Sequence, residues 1–448
     1  HMTGLGGDCF ALVKHAGTDE VTALNGSGRS PAGLNADAVR AEGITKIEPG
    51  HPASITLPGA VDAFCRLSEK FGRIGLDRCL APAIRYFDEG VPIAARVAHD
   101  IRPLGASFNA DARNDFMNDG DAYALGDTLR LPKQAEVLRR IASQGRDAFY
   151  AGEVADDMQA ALAAINGTHT LDDFANVEAT WGTPITGPYR GHEVIEHRPN
   201  GQGVTALLLC RILEQFDIAS MDPGGPERMH IEAEATKLAY DARNRFLADP
   251  DHMSRLDHMT SPDIAKALAN LIDPTRAIAD VAPVTESAHR DTLLITVVDG
   301  DGMAVSLIYS IFASFGSGIA SPKFGILFHN RGSGFNLIPG HPNEAGPGKR
   351  PMHTILPAMR AKDSKIDMTF GVMGGQYQAT GHAHFLSNMQ DYGMDPQEAI
   401  DFPRAFADPI SGMLQVEDGL TEATCAGLVA LGHKLVRPEG PIGGAQAI

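Results

Sequence analysis

The chain has 448 residues, 43% hydrophobic and 21% charged, enough apolar content for a large core in one or two domains. Its formal net charge of -18 offers no basic face to a nucleic acid, and no apolar run of about 18 residues is present to cross a membrane. The five cysteines, Cys9, Cys65, Cys79, Cys210 and Cys425, are widely spaced and include no CxxC pair, so they read as small apolar residues rather than a disulfide framework or zinc site.

Residues 1–60 are Gly-rich and strand-like, with FALV and EVTALNGSG as short alternating runs. Residues 61–275 read as mainly helical: apolar positions recur at three and four in VDAFCRLSEKFG, QAEVLRRIASQG and MHIEAEATKLAYDARNRF. Residues 276–291 carry Asp, Pro, Thr, Ser and His without periodicity, which predicts an exposed linker where a cut is tolerable. Strands return from Thr292, with helical stretches near 379–401 and 420–432. Strands at both ends with helices between them predict an α+β fold of stacked sheets covered by helices.

The segment that carries chemistry is DTLLITVVDGDGMAVSLIYSIFASFGSG. An alternating run from Thr292 turns at Asp299-Gly300-Asp301-Gly302 and returns from Met303 to Ile308, which predicts a hairpin. A cut between Asp291 and Thr292 would start the first strand with a residue bearing both a hydroxyl and a free α-amine. The amine's ordinary pKa of about 7.7–8.0 suits a general base. A threonine at a strand start is by itself an ordinary β-former.

The surrounding motifs resemble those of the γ-glutamyltranspeptidase superfamily of N-terminal-nucleophile hydrolases. They are TGLGGDCFALV at 3–13, ITLPGAVDAFCRL at 55–67, MHIEAEATKLAYDARNRFLADP at 229–250, SFGSG at 314–318, NRGSGF at 330–335, GKRPMHT at 348–354 and MGG at 373–375, in the family's order. The resemblance implies a four-layer αββα sandwich, self-cleavage between Asp291 and Thr292, and a heterodimer of 1–291 and 292–448, with a dimer of such heterodimers as a further option. It also implies that Thr292 is the nucleophile, Ser310 the hydroxyl that hydrogen-bonds it, and Gly374 and Gly375 the oxyanion hole. Ser310 stands where the family has threonine. The terminal GPIGGAQAI resembles a strand region that continues in the family into one more hairpin.

Substrate-facing positions depart from the transpeptidase pattern. Phe312 replaces the family's asparagine, Gly334 an acidic residue, Arg331 a glutamine, and His353-Thr354 a serine pair. With NGSGRSP at 25–31, this set resembles the acylase and amidohydrolase branch, which includes oxamate amidohydrolase and glutaryl-cephalosporin acylase types. Acceptors for an ammonium group are lost and an arginine is gained, so the expected substrate is a small amide bearing a carboxylate but no charged amine. Arg29 stands nearest the family's carboxylate-binding arginine, two residues out of register at Pro31. Arg331 has a structural alternative as a salt-bridge partner, and His353 one as a core histidine. His382 and His384 in GHAHF are two apart, a spacing that faces one side of a strand, but without a third ligand they read as no metal site; no cofactor is expected. A genuine γ-glutamyl hydrolase or transpeptidase, and an unprocessed non-catalytic homologue, are the alternatives. No signal-type start is present, which favours the cytoplasm, with the periplasm as the alternative if an export signal precedes this chain.

Overall fold

In the computed structural model, which describes residues 1–279 and 292–448, two five-stranded sheets form the centre of the molecule. The first has the order Thr180–Gly182, Val21–Gly26, Asp8–Lys14, Ala304–Ser310, Leu293–Val298, with every neighbour antiparallel. The second runs Gly444–Ala447, Lys365–Met373, Pro357–Lys362, His192–Glu196, Ile185–Tyr189, again antiparallel throughout.

Alternation along the Asp8–Lys14 strand fixes the layering. Phe10 packs with Leu294, Ile308 and Ile355, and Leu12 with Ile195 and Met359, so one face of the strand meets the second sheet. Cys9 and Ala11 point the other way, into a cluster with Ala60 and Ala63 of helix Ala60–Phe71. Burial on both faces explains why this strand is almost uninterruptedly apolar. The helix lies very close: a Cβ on Gly26 would sit 2.7 Å from that of Ala63, so glycine sets the spacing. On the far side, Val194, Phe370 and Val372 of the second sheet join residues of helices Gly203–Leu213, Pro226–Phe246 and Gln378–Gln390. The result is the four-layer αββα arrangement of an α+β fold.

The hairpin after Thr292 forms as the sequence predicts, from strands Leu293–Val298 and Ala304–Ser310. Asp299 Oδ1 closes its turn by accepting from the amides of Asp301 and Met303, at 3.0 and 2.9 Å. The zone read as mainly helical also contains strands. Ile185–Tyr189 and His192–Glu196 form a second hairpin, whose Arg190-Gly191 turn has φ values of 49° and 78°. The stretch expected to be helical over 379–401 is two helices, Gln378–Gln390 and Pro396–Asp401. Between them Gly393 takes a φ of 67°, and Asp395 starts the second with a capping box. Asp291 and most of the expected linker lie outside the described residues. Among the described residues, no helix is long and apolar enough to cross a membrane.

Ser306, buried between the sheets, ties them together: its hydroxyl donates to the Phe370 carbonyl at 2.9 Å and accepts from the Ala358 amide at 3.2 Å. Ser306→Ala should therefore destabilise the protein by about 1–3 kcal/mol by stranding buried backbone groups. A urea titration will register this as a lower midpoint at unchanged slope.

Candidate active site

The strand register assembles the first part of the site. Asp8 pairs with Ser310, and the Leu293–Tyr309 pair carries Thr292 to the position opposite Ser310 on the other side. Asp8, Ser310 and Thr292 therefore form a row across three strands. They are in phase with Phe10, Ile308 and Leu294, so the row faces the second sheet, and all three are buried. Ser310 Oγ accepts from the Phe312 amide at 2.9 Å, a contact that turns its proton away from that amide.

The second sheet supplies what faces Thr292. After strand Lys365–Met373 the chain turns through Gly374 and Gly375, with φ values of 135° and 57°. A Cβ on Gly374 would meet the Ile442 carbonyl at 2.8 Å, so both backbone angle and space require glycine here. The chain then enters helix Gln378–Gln390, whose first residue donates from Nε2 to Thr292 Oγ1 at 3.3 Å. A buried network braces the turn. Arg243 Nη1 donates to Gln202 Oε1 at 3.0 Å and Gln376 Oε1 at 2.5 Å. Gln202 Nε2 in turn donates to the Thr354 carbonyl at 2.8 Å, and the Tyr240 hydroxyl donates to the Gln376 carbonyl.

Asp8 is the charged centre of the row. Its Oδ1 accepts from the Gly28 amide at 2.8 Å, while Oδ2 lies 3.1 Å from both His329 Nδ1 and His353 Nε2 and 3.5 Å from Arg331 Nε. Burial pushes the carboxyl up, but the His329 charge and the hydrogen bonds from His329 and His353 outweigh it and hold Asp8 well below the usual carboxylate range. The two histidines differ. His329 Nδ1 faces Asp8 Oδ2, and its Nε2 lies 2.8 Å from the Thr56 carbonyl and 3.2 Å from Thr56 Oγ1. His353 donates from Nε2 to Asp8 and accepts from the Ile355 amide at Nδ1 (3.4 Å), the pattern of a neutral ring. Burial and the Arg331 charge lower its pKa to about 3.

Arg331 starts the turn Arg331–Gly334 and is fully buried. Its guanidinium lies 4.3 Å from the centre of the Phe312 ring, and Nη1 donates to Thr354 Oγ1 at 3.2 Å. Phe312 takes a φ of 75°, which a non-glycine residue adopts only at a cost of about 1–3 kcal/mol when its surroundings demand it. Phe312, Arg331, His353 and Thr354 are thus brought together beside the row, and the Gly334 backbone closes the Arg331 turn. Arg29 is placed differently. It pairs with Asp249 at 3.0 Å and Asp251 at 3.6 Å and lines a cavity of about 490 Å³ with Ser27, Asp173, Glu178 and Arg350, whose lining includes neither Thr292 nor Arg331.

His382 and His384 lie on a helix, not a strand, so their side chains point apart: His382 Nδ1 meets Glu196 at 2.7 Å and His384 Nδ1 meets Glu232 at 2.9 Å. A third grouping, His230, Glu234 and His433, brings its ligand atoms within 4.8 Å of one another. It is internally satisfied. His230 Nδ1 and His433 Nε2 are 2.8 Å apart, and Lys237 donates to Glu234 at 2.7 Å, supplying the positive charge a cation would otherwise bring.

Comparison with known proteins gives the family of the chain. The γ-glutamyltranspeptidase family model matches residues 1–448. The chain belongs to the γ-glutamyltranspeptidase family. It is 35% identical over 444 residues to the glutathione hydrolase-like YwrD proenzyme of Bacillus subtilis, covering 97% of this chain and 83% of that protein. It is 32% identical to the oxamate amidohydrolase proenzyme of Klebsiella pneumoniae, with 97% and 83% covered. Among solved structures, the cephalosporin acylase of Bacillus halodurans superposes with a TM-score of 0.92 at 34% identity, over 99% of this chain and 83% of that one. The relatives are proenzymes of the γ-glutamyltranspeptidase family, and this chain is accordingly a self-processing amide hydrolase cut into two subunits.

Asp8, His329, Gln378 and the Gln202–Arg243 brace were not singled out from the sequence. A signal existed for Asp8, a charge opening an otherwise apolar doubly buried strand, and for His329, which adjoins NRGSGF. Gln378 and Arg243 gave none, since polar residues on helices are ordinary.

Buried histidines also set the acid stability of this region. His353 is lowered to about 3, and His197 and His169 to about 4, with burial the first cause in each. Each binds a proton in the unfolded chain below about pH 6.5 but refuses it when folded, so its contribution is complete above that value and lost as pH falls to its folded value, about 4 for His197 and His169 and about 3 for His353. Urea unfolding at a series of pH values should show stability falling below pH 6.5 by up to about 1.4 kcal/mol per unit for each such histidine.

Proposed function

We propose that Thr292, exposed by cleavage after Asp291, attacks the carbonyl of a small amide whose acyl group carries a carboxylate, and that Arg331 holds that carboxylate. The observation that carries the reading is the buried Arg331 guanidinium, held against the Phe312 ring and Thr354 Oγ1 beside the Thr292 row. An anionic acyl group neutralises it; a γ-glutamyl group would bring an extra ammonium.

In acylation the new α-amine takes the Thr292 hydroxyl proton, Oγ1 bonds to the carbonyl carbon, and the amides of Gly374 and Gly375 receive the oxyanion. Collapse breaks the C–N bond, and the α-amine returns the proton to the leaving amine. Ser310 orients the nucleophile from the paired strand, with its Oγ held by the Phe312 amide. Thr354 fixes the Arg331 fork, and Phe312 fills the position where a transpeptidase would offer an acceptor to the substrate ammonium. Arg29, engaged by Asp249 and Asp251, stands outside this set. The two subunits stay together as a heterodimer, and a dimer of heterodimers would suit the same fold.

Thr292→Ala should remain one uncut polypeptide without amidase activity, because both steps lose their nucleophile; a variant found cut after Asp291 by intact mass would sink the assignment. Thr292→Ser should still be processed, more slowly, since it keeps the hydroxyl but loses the methyl that limits its rotamers.

Specificity is tested on oxamate, glutaryl anilide and γ-glutamyl anilide. An ammonium buried against Phe312 and Gly334 without acceptors costs at least about 1–3 kcal/mol, so kcat/KM for the donor lacking the amine should be about tenfold or more higher. Arg331→Ala should lower kcat/KM for every carboxylate-bearing donor. Preference for γ-glutamyl anilide with transfer to glycylglycine would replace this reading with the transpeptidase one.

A further inference from the structure

We propose that Gln378 is a catalytic residue of this site, a fixed hydrogen-bond donor to the oxygen that is the nucleophile in acylation and the leaving group in deacylation; the inference rests on Thr292 being the nucleophile. Gln378 is wholly buried, and its Nε2 lies 3.3 Å from Thr292 Oγ1. An amide side chain can present either its oxygen or its nitrogen, and its neighbours decide which. Here the Leu356 amide donates to Gln378 Oε1 at 3.0 Å. A backbone N–H can only donate, so the oxygen is committed to Leu356 and the NH2 group must face Thr292. Leu356 immediately precedes strand Pro357–Lys362, so the second sheet holds the orientation.

The placement has a chemical consequence. Gln378 follows directly on the turn Gly375–Tyr377, so one short segment presents donors to both oxygens of the reacting ester. The glycine amides serve the carbonyl oxygen, and Gln378 serves Oγ1. In deacylation the α-amine takes a proton from water, and the water oxygen adds to the acyl carbon. The tetrahedral intermediate collapses, the C–Oγ1 bond breaks with its electron pair going to Oγ1, and the amine delivers the proton there. A neutral amide transfers no proton itself. It stabilises the charge on Oγ1 before the proton arrives, in a buried site where such donors are strengthened. The same donor stabilises Oγ1 as it loses its proton during self-cleavage.

The test uses the full-length chain and two variants. Gln378→Met keeps the length but removes the donor; Gln378→Glu keeps an acceptor for Leu356 and donates only when its carboxyl is protonated. Self-cleavage is followed by intact mass, and turnover with glutaryl anilide, with acid-quenched samples weighed for an acyl ester on the fragment beginning at Thr292. Gln378→Met should be processed about tenfold or more slowly, with kcat down by about 10–100-fold. KM should fall with it as the ester accumulates, because deacylation becomes limiting. For Gln378→Glu the ratio of its kcat to that of the unaltered enzyme should rise as pH falls. Unchanged rates in both variants overturn the proposal, as do equal losses at every pH without ester accumulation. Failure of the underlying reading looks different: the acyl mass would sit on another residue, or Thr292→Ala would be cut.

Discussion

The buried carboxylate of Asp8 is the constraint on which the rest of the site depends. Taking a carboxylate out of water costs several kcal/mol unless charges and hydrogen bonds replace the lost solvent. Here the replacement comes from four directions: the Gly28 amide, His329, His353 and Arg331. Each oxygen thereby has a partner, and the negative charge has a positive one beside it. Satisfying Asp8 therefore draws the HNRGSGF turn and the KRPMHT segment onto the end of the first strand. Arg331 reaches its place against Phe312 as a consequence.

Thr292 is positioned by a different device, strand register. A one-residue slip between Leu293–Val298 and Ala304–Ser310 would turn Thr292 away from the second sheet, together with Leu294. Two things prevent it. Leu294 is committed to a cluster with Phe10, Ile308 and Ile355, and the Asp299 turn fixes the count of residues in the loop. Thr292 is thus held on rigid elements, while the glycine turn facing it is braced by Arg243, Gln202 and Gln376. Hydrophobic phasing on one sheet and a buried polar network on the other meet at one hydroxyl.

These two devices differ in how well a sequence displays them. The hairpin was legible because period-two alternation and a DGDG turn are local, and the motifs around it carried the family resemblance and with it the fold. The Ile185–Tyr189 and His192–Glu196 strands were not. They are short, Pro188 interrupts them, and their sense of alternation depends on a helix layer far away in the chain. The two-residue spacing of His382 and His384 suggested one side of a strand although the stretch around them read as helical, and on the helix the two side chains point apart. Asp8 and His329 are adjacent only in space, 321 residues apart, so their pairing has no trace in spacing. Gln378 acquires its meaning only once Leu356 has fixed which end of its amide faces Thr292.

Sheet order also explains how such a chain can be cut without falling apart. The first sheet takes three strands from before residue 292 and two from after it; the second takes two from before and three from after. The seam in the first is the seven-residue pairing of Asp8–Lys14 with Ala304–Ser310, and in the second the pairing of His192–Glu196 with Pro357–Lys362. Neither portion alone could complete either sheet, and separation would expose unpaired edges and the apolar layer between them, which holds Phe10, Leu12, Leu294 and Met359. Loss of one peptide bond removes little from this: the cut releases a constraint on the unfolded chain but no contact in the core. The Asp8 cluster adds a charged clasp across the same seam, with Asp8 and Gly28 on one side and His329, Arg331 and His353 on the other. The proposed cut before Thr292 would therefore free an α-amine there while the elements that orient it stay in register.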